Sequence, residues 1–239
     1  MVTITVRGSA QREVKPELAR ALLGVEMTGA SRAEVWEKAL TAHAKLAGRA
    51  ADLVAQGKAV DWTALEVQVG SYYDWVPMVG NPGQSEQVRR YRAAGDVTVE
   101  FADFQELGQW LASIAESTGV EVRGVNWSLT DNTRQTIARE VRSEAVLDAK
   151  QRAEDYARDI GTPDITITAL YEPGLYPGPD AATGGLSPAM PRAMMMAERS
   201  VTSQSIELKP AIIPVGAEVI AVFNTNRPKE NRRQTGLSV

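Results

Sequence analysis

Histidine and cysteine, the side chains behind most nucleophilic and metal chemistry, are almost absent from this sequence. Its 239 residues include one histidine, His43, and no cysteine. A Ser-His-Asp triad or a histidine-based metal site would depend on His43 alone, and thiolate catalysis and disulfides are excluded. His43 falls on or beside the apolar face of a predicted helix, so we expect a packed or boundary side chain rather than a general base.

The glycine patterns that bind phosphates or activate a serine are also missing. Gly80-Asn81-Pro82-Gly83 lacks the Lys-Ser/Thr continuation and the following helix of a phosphate loop, and no Gly-x-Ser-x-Gly or EF-hand sequence occurs. A pair of catalytic carboxylates has no fixed spacing, so sequence does not exclude one. We predict a non-enzymatic protein with no cofactor and no metal, and keep an enzyme built from distant residues as the least favoured alternative.

Four methionines lie close together in a proline-containing stretch. Met190 precedes the consecutive Met194, Met195 and Met196. Thioethers bind soft copper(I), or they form adaptable apolar contacts at an interface. Because no histidine or cysteine lies nearby to complete a metal site, we favour an adaptable contact or a plain flexible loop.

The charge balance argues against a nucleic-acid partner. The formal net charge is -4 at pH 7, whereas binding to phosphate backbones normally uses clustered Lys and Arg. The densest basic stretch, Arg89 to Arg92, falls in a predicted strand, where side chains alternate between the two faces instead of forming one patch. We therefore predict no nucleic-acid binding.

The apolar segments are too short for a membrane span. Residues 1–6 lack the basic and apolar regions of a secretory signal, and no segment approaches about 18 consecutive apolar residues. We predict a cytoplasmic protein without a transmembrane segment. A periplasmic or exported location is the alternative if a leader has been removed.

Alternating apolar residues predict two strands at the start of the chain. The first covers Val2 to Val6 and the second covers Ala19 to Met27, with Pro16 between them. Strands that follow each other so closely commonly pair, so we predict a β-hairpin over residues 1–29.

Three helices are predicted from capping residues and helical spacing. The first begins at Ser31 with Glu34 three residues on, and the second begins at Asp103 with Glu106. The third is predicted from Asp131 to Gly161 and carries a ridge of small residues that suits close packing on a sheet. That ridge comprises Ala138, Ala145, Ala149, Ala153 and Ala157. The predicted apolar face of the first helix comprises Trp36, Leu40, His43, Ala47, Ala50 and Val54.

A long hairpin is predicted between the first two helices. Residues 65–75 and 91–101 alternate in polarity, and a loop from Pro77 to Gln84 joins them. The side chains Tyr73, Trp75 and Tyr91 either pack in an ordinary sheet core or form a projecting, aromatic β-ribbon that contacts another subunit. Alternation fits both interpretations equally well.

The C-terminal part is predicted to contain strands and flexible stretches. A strand follows the third helix at Ile165 to Ala169, and residues 173–200 form a flexible Gly/Pro/Met-rich insertion. A strand at Ile206 and Leu208, a turn over 210–216 and a strand over 219–223 complete a single domain at 1–226. Residues 227–239 are predicted to be a disordered tail.

Several of these segments resemble the SIMPL-domain family of YggE-like proteins. The similar segments are Ile4-Thr5-Val6-Arg7-Gly8, Lys15-Pro16-Glu17, Tyr72-Tyr73-Asp74-Trp75, residues 139–145, residues 148–157, and the closing residues 210–223. The resemblance covers nearly the whole chain, and its charge-alternating, Ala-rich helix ending near Gly161 is the most specific feature. These are fold motifs and not chemical ones.

The resemblance implies a fold and a way of assembling more than it implies an activity. We expect an α+β protein of antiparallel strand pairs packed on two or three helices, in the approximate order ββαββαβαβ and then ββ. The family tends to form large ring- or tunnel-like homo-oligomers, and bacterial members are associated with envelope or stress-related roles. Animal members signal through a kinase partner, and no catalytic residues are established.

We therefore predict a non-enzymatic, self-assembling protein, with a binding module for a protein or small molecule as the alternative. The predicted contact residues lie in the long hairpin and in the methionine-rich stretch. They are Tyr73, Trp75, Pro77, Tyr91, Met194, Met195 and Met196.

Overall fold

The computed structural model describes residues 1–77, 85–114, 117–177 and 208–225. Its helices and strands confirm the α+β class that the sequence predicts. In chain order they are β1 (Thr3–Val14), β2 (Leu18–Gly29), α1 (Arg32–Ala55), β3 (Asp61–Ala64), β4 (Gln68–Pro77), β5 (Ser85–Phe101), α2 (Phe104–Ile114), β6 (Val120–Ser128), α3 (Asp131–Asp159), β7 (Ile165–Tyr171) and β8 (Ile213–Thr225).

The order of elements differs from the prediction at two places. The short strand β3 was not predicted, because its four residues carry too little alternation. At the other end, Leu208 lies outside any strand, Ile206 is outside the described residues, and β8 already begins at Ile213, inside the predicted turn. A strand with Pro214 and Gly216 near its start lacks the usual sequence signal, since both residues are typical of turns.

The described residues group into two compact units. The first contains residues 1–14, 131–177 and 214–225, and the second contains residues 15–77, 85–114, 117–130 and 208–213. The single domain predicted over 1–226 thus includes both units, and its boundaries stay a prediction. Most of the predicted insertion at 173–200, from residue 178 onward, and the predicted tail at 227–239 lie outside the described residues.

In the first unit, α3 lies on a three-stranded sheet with the order β1-β8-β7. Gly8 allows a very close approach, because a Cβ atom there would overlap the carbonyl oxygen of Ala145 and lie 2.6 Å from the amide nitrogen of Ala149. The predicted small-residue ridge is confirmed over most of its length. Its buried members are Ala145, Ala149, Ala153 and Ala157, each 0% exposed.

Polar contacts also connect β1 with α3. The Arg12 guanidinium pairs with the carboxylates of Glu140 and Glu144. The Ser9 amide donates to a carboxylate oxygen of Asp148 at 2.9 Å, and Arg152 donates to the same carboxylate. The Ser9 amide and, next, Arg152 stabilise the ionised form, which lowers the pKa of Asp148 below its ordinary value.

In the second unit, α1 and α2 cover one face of a sheet with the order β3-β5-β2-β6, and β4 also pairs with β5. Asp103 caps α2, since its Oδ1 accepts from the amide of Gln105 at 2.8 Å. The apolar core forms between this face and the two helices. Its main members are Ala19, Ala21, Leu23, Val25, Leu46, Ala50, Val97, Val99, Phe101, Leu107, Trp110, Leu111 and Ile114.

The predicted hairpin over residues 1–29 is wrong. β1 pairs with β8 in one sheet, while β2 pairs with β5 and β6 in the other. The alternation correctly indicates two strands, but it carries no information on their partners. The amide of Thr225 donates to the carbonyl of Val2 at 2.9 Å, so the partner of β1 is more than 200 residues away in sequence.

The apolar face predicted for α1 is rotated from the observed one. Its cap at Ser31 is confirmed, because the Ser31 hydroxyl accepts from the Glu34 amide at 3.4 Å. Trp36 and Leu40, however, are 36% and 41% exposed. The small Ala39 and Ala50 are buried, whereas the larger Trp36 and Leu40, which dominate a hydrophobic pattern, are not. The buried residues are Val35, Ala39, Leu46 and Ala50.

Candidate interaction surface

Strands β4 and β5 form a two-stranded ribbon, here called the arm, from residues 68–77 and 85–94. The predicted long hairpin is confirmed from Gln68 opposite Ala94 at its root to Pro77 opposite Ser85 at its outer end. Residues 65–67, predicted as the start of its first strand, lie outside any strand, and Pro77, predicted to begin the loop, is the last residue of β4. Most arm side chains are exposed on both faces. A two-stranded ribbon in water is marginally stable on its own. The arm is therefore suited to pairing with a further strand or packing against another protein surface.

The four predicted contact residues of the arm share one face. Tyr73, Trp75, Pro77 and Tyr91 all have odd numbers, and the register places Tyr73 opposite Arg89 and Trp75 opposite Gln87. Side chains of directly paired residues lie on the same face of a sheet. Tyr73 is 61% exposed and Trp75 is 65% exposed, while Tyr91 is partly buried. Together these residues are named the aromatic face.

The aromatic face continues a face that α1 covers nearer the root. Val35 and Ala39 of α1 pack with Val67 and Ala93, and the partly buried Val69 and Tyr91 contact the same cluster. Past Tyr91 no helix among the described residues covers the arm. The apolar stripe therefore passes from a packed root to an open end.

Side-chain contacts also connect the two strands of the arm. Arg89 donates to the Ser71 hydroxyl at 3.2 Å, and its guanidinium carbon lies 5.4 Å from the centre of the Tyr91 ring. A cation over an aromatic face at this distance is a favourable contact, and a planar guanidinium also covers part of the ring. On the aromatic face, Arg89 therefore lies beside Tyr91, and the exposed Trp75 lies nearer the outer end of the arm.

His43 lies near the root, where the sequence analysis expects a packed side chain. A Cβ atom at Gly95 would lie 3.0 Å from the His43 ring and 3.0 Å from Val67, so the imidazole packs against this part of the sheet. Its Nε2 atom is buried without a hydrogen-bond partner. Among the described residues, no group of three His, Cys, Asp or Glu side chains could hold a metal ion.

The opposite sheet face carries ion pairs that the sequence analysis did not predict. Arg20 contacts Glu100 at 2.6 Å, and Arg92 pairs with Glu26. Arg20 and Glu100 lie directly opposite each other in the pairing of β2 with β5, and Glu26 and Arg92 are diagonal neighbours in it. The signal in sequence is the charge at Arg20 and Glu26, which alternates with the apolar core residues of β2.

A groove of about 570 Å³ lies on this side at the root of the arm. Arg123 pairs with Asp96 there and extends over Gly24. Leu65 lines the groove and is 63% exposed. The groove is lined by the charged side chains of Glu66, Arg92, Asp96 and Arg123 beside the apolar Leu65 and Ala94. This lining suits a polar ligand.

Three of the predicted contact residues, Met194, Met195 and Met196, lie outside the described residues. The structure therefore connects four of the seven predicted residues in one face. On α1, Trp36 and Leu40, which the sequence analysis assigned to the apolar face, are also exposed.

These observations define a class of protein before any family is considered: an α+β chain with two antiparallel sheets and an uncovered aromatic ribbon. The chain belongs to the SIMPL family, whose model, described as "Protein of unknown function (DUF541)", matches residues 4–223. No curated protein matches the sequence. Within the part of the chain that the structure describes, no helix has the length and apolar character needed to cross a membrane.

Proposed function

We propose that this protein is a non-enzymatic, self-assembling member of its family and that the arm is a contact element between subunits. The observation that carries the proposal is the arm itself, a ribbon exposed on both faces with Tyr73 and Trp75 uncovered on one of them. The methionine-rich residues Met194 to Met196 are proposed as a second contact element. A stress- or envelope-related role belongs to the proposal and rests on the family resemblance alone.

The energetics support contact at the aromatic face. Burying a large apolar side chain contributes about 1.5–3 kcal/mol. Tyr73 and Trp75 are each about two-thirds exposed, so covering both would contribute roughly 2–4 kcal/mol in total. Aromatic residues at the centre of an interface commonly dominate its energy.

The edges of the arm support a second copy as the partner. β4 pairs only with β5 among the described strands, and β5 pairs with β2 only from Tyr91 onward. Unpaired edges are templates for pairing with another chain, and every subunit carries the same ones. Closed symmetric assemblies are the usual result when identical surfaces meet.

The proposal is tested by the mass of the native chain in solution. Size-exclusion chromatography with light scattering at two protein concentrations should show a stable oligomer. The double variant Tyr73→Ser, Trp75→Ser should lower the mass while keeping the wild-type circular dichroism spectrum of the folded chain. Tyr156→Ser is the matched control, because Tyr156 is 58% exposed on α3 of the other unit. A monomeric wild type, or a double variant with the wild-type mass, would contradict the proposal.

A binding module for another protein or a small molecule is the second candidate. It is favoured by the groove at the arm root, where Leu65 is exposed beside the Arg123–Asp96 pair. Here a partner found by thermal-shift screening or pull-down should still bind the arm double variant. Its binding should be lost on Leu65→Ser with Arg123→Gln.

An enzyme with a site built from distant residues is the least favoured function. His43 is the one side chain that can test a histidine-based version of it. If an activity is found, His43→Gln should abolish it in that case. An activity that survives the change eliminates histidine chemistry.

A further inference from the structure

The free edge of the arm on the β2 side has a defined hydrogen-bonding pattern. The amide of Val60 donates to the carbonyl of Glu100, and the amide of Leu65 donates to the carbonyl of Asp96. Even-numbered residues of β5 therefore direct their backbone groups toward β3 and β4. A strand residue of an antiparallel sheet directs its N–H and C=O to the same side, so odd-numbered residues face β2.

This pattern leaves three residues with open backbone groups. β2 ends at Gly29 opposite Tyr91, and residues 85–90 pair only with β4 among the described strands. The amide and carbonyl groups of Ser85, Gln87 and Arg89 on that side are therefore available to a further strand.

Two side chains beside this edge have opposite charges and no ion pair among the described residues. Glu86 and Arg90 lie four residues apart on the even face of β5, with Val88 midway between them. Glu86 is exposed, and Arg90 and Val88 are partly buried. A two-fold axis through Val88 would place each Glu86 opposite an Arg90 of the second copy.

We infer that two copies pair antiparallel through residues 86–90 of β5, with Val88 opposite Val88 of the second copy. This inference rests on the proposed self-assembly. It specifies a second copy as the partner, the β2-side edge of β5 as the contact, and the register of the two strands. Gln87 and Arg89 then exchange backbone hydrogen bonds with Arg89 and Gln87 of the second copy. Two Glu86–Arg90 pairs flank one apolar pair, and the two arms form a continuous four-stranded sheet.

Neighbouring registers lack this complementarity. Shifting the centre to Gln87 places Glu86 opposite Val88 and leaves Arg90 without an acid. Shifting it to Arg89 places Arg90 opposite Val88 and Glu86 opposite Arg92, a position at which β5 already pairs with β2. Charge complementarity therefore selects the register centred on Val88.

Cysteine cross-linking tests the register, since the chain has no cysteine of its own. Directly opposite residues of a non-hydrogen-bonded pair have Cα atoms about 4.5 Å apart, which allows a disulfide. Val88→Cys should form a covalent dimer under mild oxidation. Gln87→Cys is the matched control, because two such cysteines would be about 9 Å apart in this register and too distant to bond. Cross-linking of Gln87→Cys but not of Val88→Cys would overturn the register.

Charge exchange tests the paired edge by a separate route. Glu86→Arg and Arg90→Glu each place like charges opposite one another twice, so each should weaken association about tenfold. An equimolar mixture of the two single variants should associate like the wild type, since every opposed pair is again opposite in charge. The double variant E86R/R90E should do the same. A mixture that stays as weak as the single variants would overturn the inference.

The two levels of the proposal fail in different ways. A wild-type chain that is monomeric at all concentrations contradicts both self-assembly and the edge pairing. A wild-type oligomer whose mass ignores the charge changes, without a Val88→Cys dimer, leaves self-assembly standing and overturns the edge pairing alone.

Discussion

Substituting Gly8 by alanine should destabilise the first unit, although the change is usually favourable in a strand. The added Cβ would overlap the Ala145 carbonyl oxygen and lie 2.6 Å and 2.7 Å from the amide nitrogen and Cβ of Ala149. Two of these atoms belong to the helix backbone and the third is a Cβ fixed to it, so none of them can move like the end of a flexible side chain. Overpacking of this kind costs about 3 kcal/mol at the upper end of its usual range.

An opposing effect reduces this cost. Alanine has less conformational freedom than glycine in the unfolded chain, which stabilises a strand by roughly 0.5–1 kcal/mol. We therefore expect a net loss of about 2 kcal/mol in the free energy of unfolding. With a slope of about 2 kcal/mol per molar urea, the unfolding midpoint should fall by about 1 M.

The assay combines urea unfolding by circular dichroism with amide hydrogen exchange of α3 peptides. Exchange in α3 should accelerate, because its contact with β1 is the one disturbed. Gly48→Ala in α1 is the matched control, since a Cβ there meets nothing within 4 Å and should stabilise the helix by about 0.5–1 kcal/mol. If Gly8→Ala is as stabilising as this control, the close approach of β1 and α3 is refuted.

Three further predictions concern a carboxylate, a helix face and a cap. Asp148 has a lowered pKa, so its stabilising effect is present above about pH 4, its ordinary unfolded value, and is lost as pH falls through the folded value. Asp148→Asn should therefore be less stable at pH 7 and show a flatter loss of its urea midpoint in acid; an unchanged acid profile would count against the Ser9 contact. Leu46→Ala should lower the free energy of unfolding by about 2–5 kcal/mol. Leu40→Ala, at a position 41% exposed, should lower it by less than about 1 kcal/mol. Equal losses in urea unfolding would contradict the observed buried face of α1. Ser31→Ala should lower the free energy of unfolding by about 1 kcal/mol, because the α1 cap is lost. Amide hydrogen exchange should become faster in the first turn of α1. Unchanged exchange in that turn would contradict the capping role.

Local signals in the sequence predicted the helices and most strands well. Ser31 and Asp103 mark helix starts through side-chain oxygens that accept backbone amides. Gly57 and Gly161 follow the ends of α1 and α3 with φ of 71° and 73°, a conformation that favours glycine. Capping depends on residues a few positions apart, which is why it is visible without the fold.

Strand partners and helix orientation were less predictable, because they depend on distant residues. The partner of β1 is β8 and not β2, and alternation is identical in either arrangement. The buried face of α1 includes Ala39 and Ala50, whose small size permits close packing on the sheet. Hydrophobicity favours Trp36 and Leu40 instead, but the observed packing of α1 leaves both exposed.

The sequence identified Tyr73, Trp75 and Tyr91 as notable residues, but it did not show whether they are buried in a sheet core or exposed on a ribbon. The lengths of β5 and α1 explain why Tyr73 and Trp75 are exposed. The 17 residues of β5 span about 56 Å at 3.3 Å per residue, whereas the 24 residues of α1 span about 36 Å at 1.5 Å per residue. The helix cannot cover the whole strand, so roughly 20 Å of β5, about six residues, must extend beyond it. Six residues separate Ser85 from the point where β2 pairing begins at Tyr91. β2 ends at Gly29 opposite Tyr91, and α1 begins at Arg32. Beyond this point β5 has neither the helix on its face nor β2 at its edge, which leaves Trp75 uncovered and the backbone edge at Gln87 and Arg89 free.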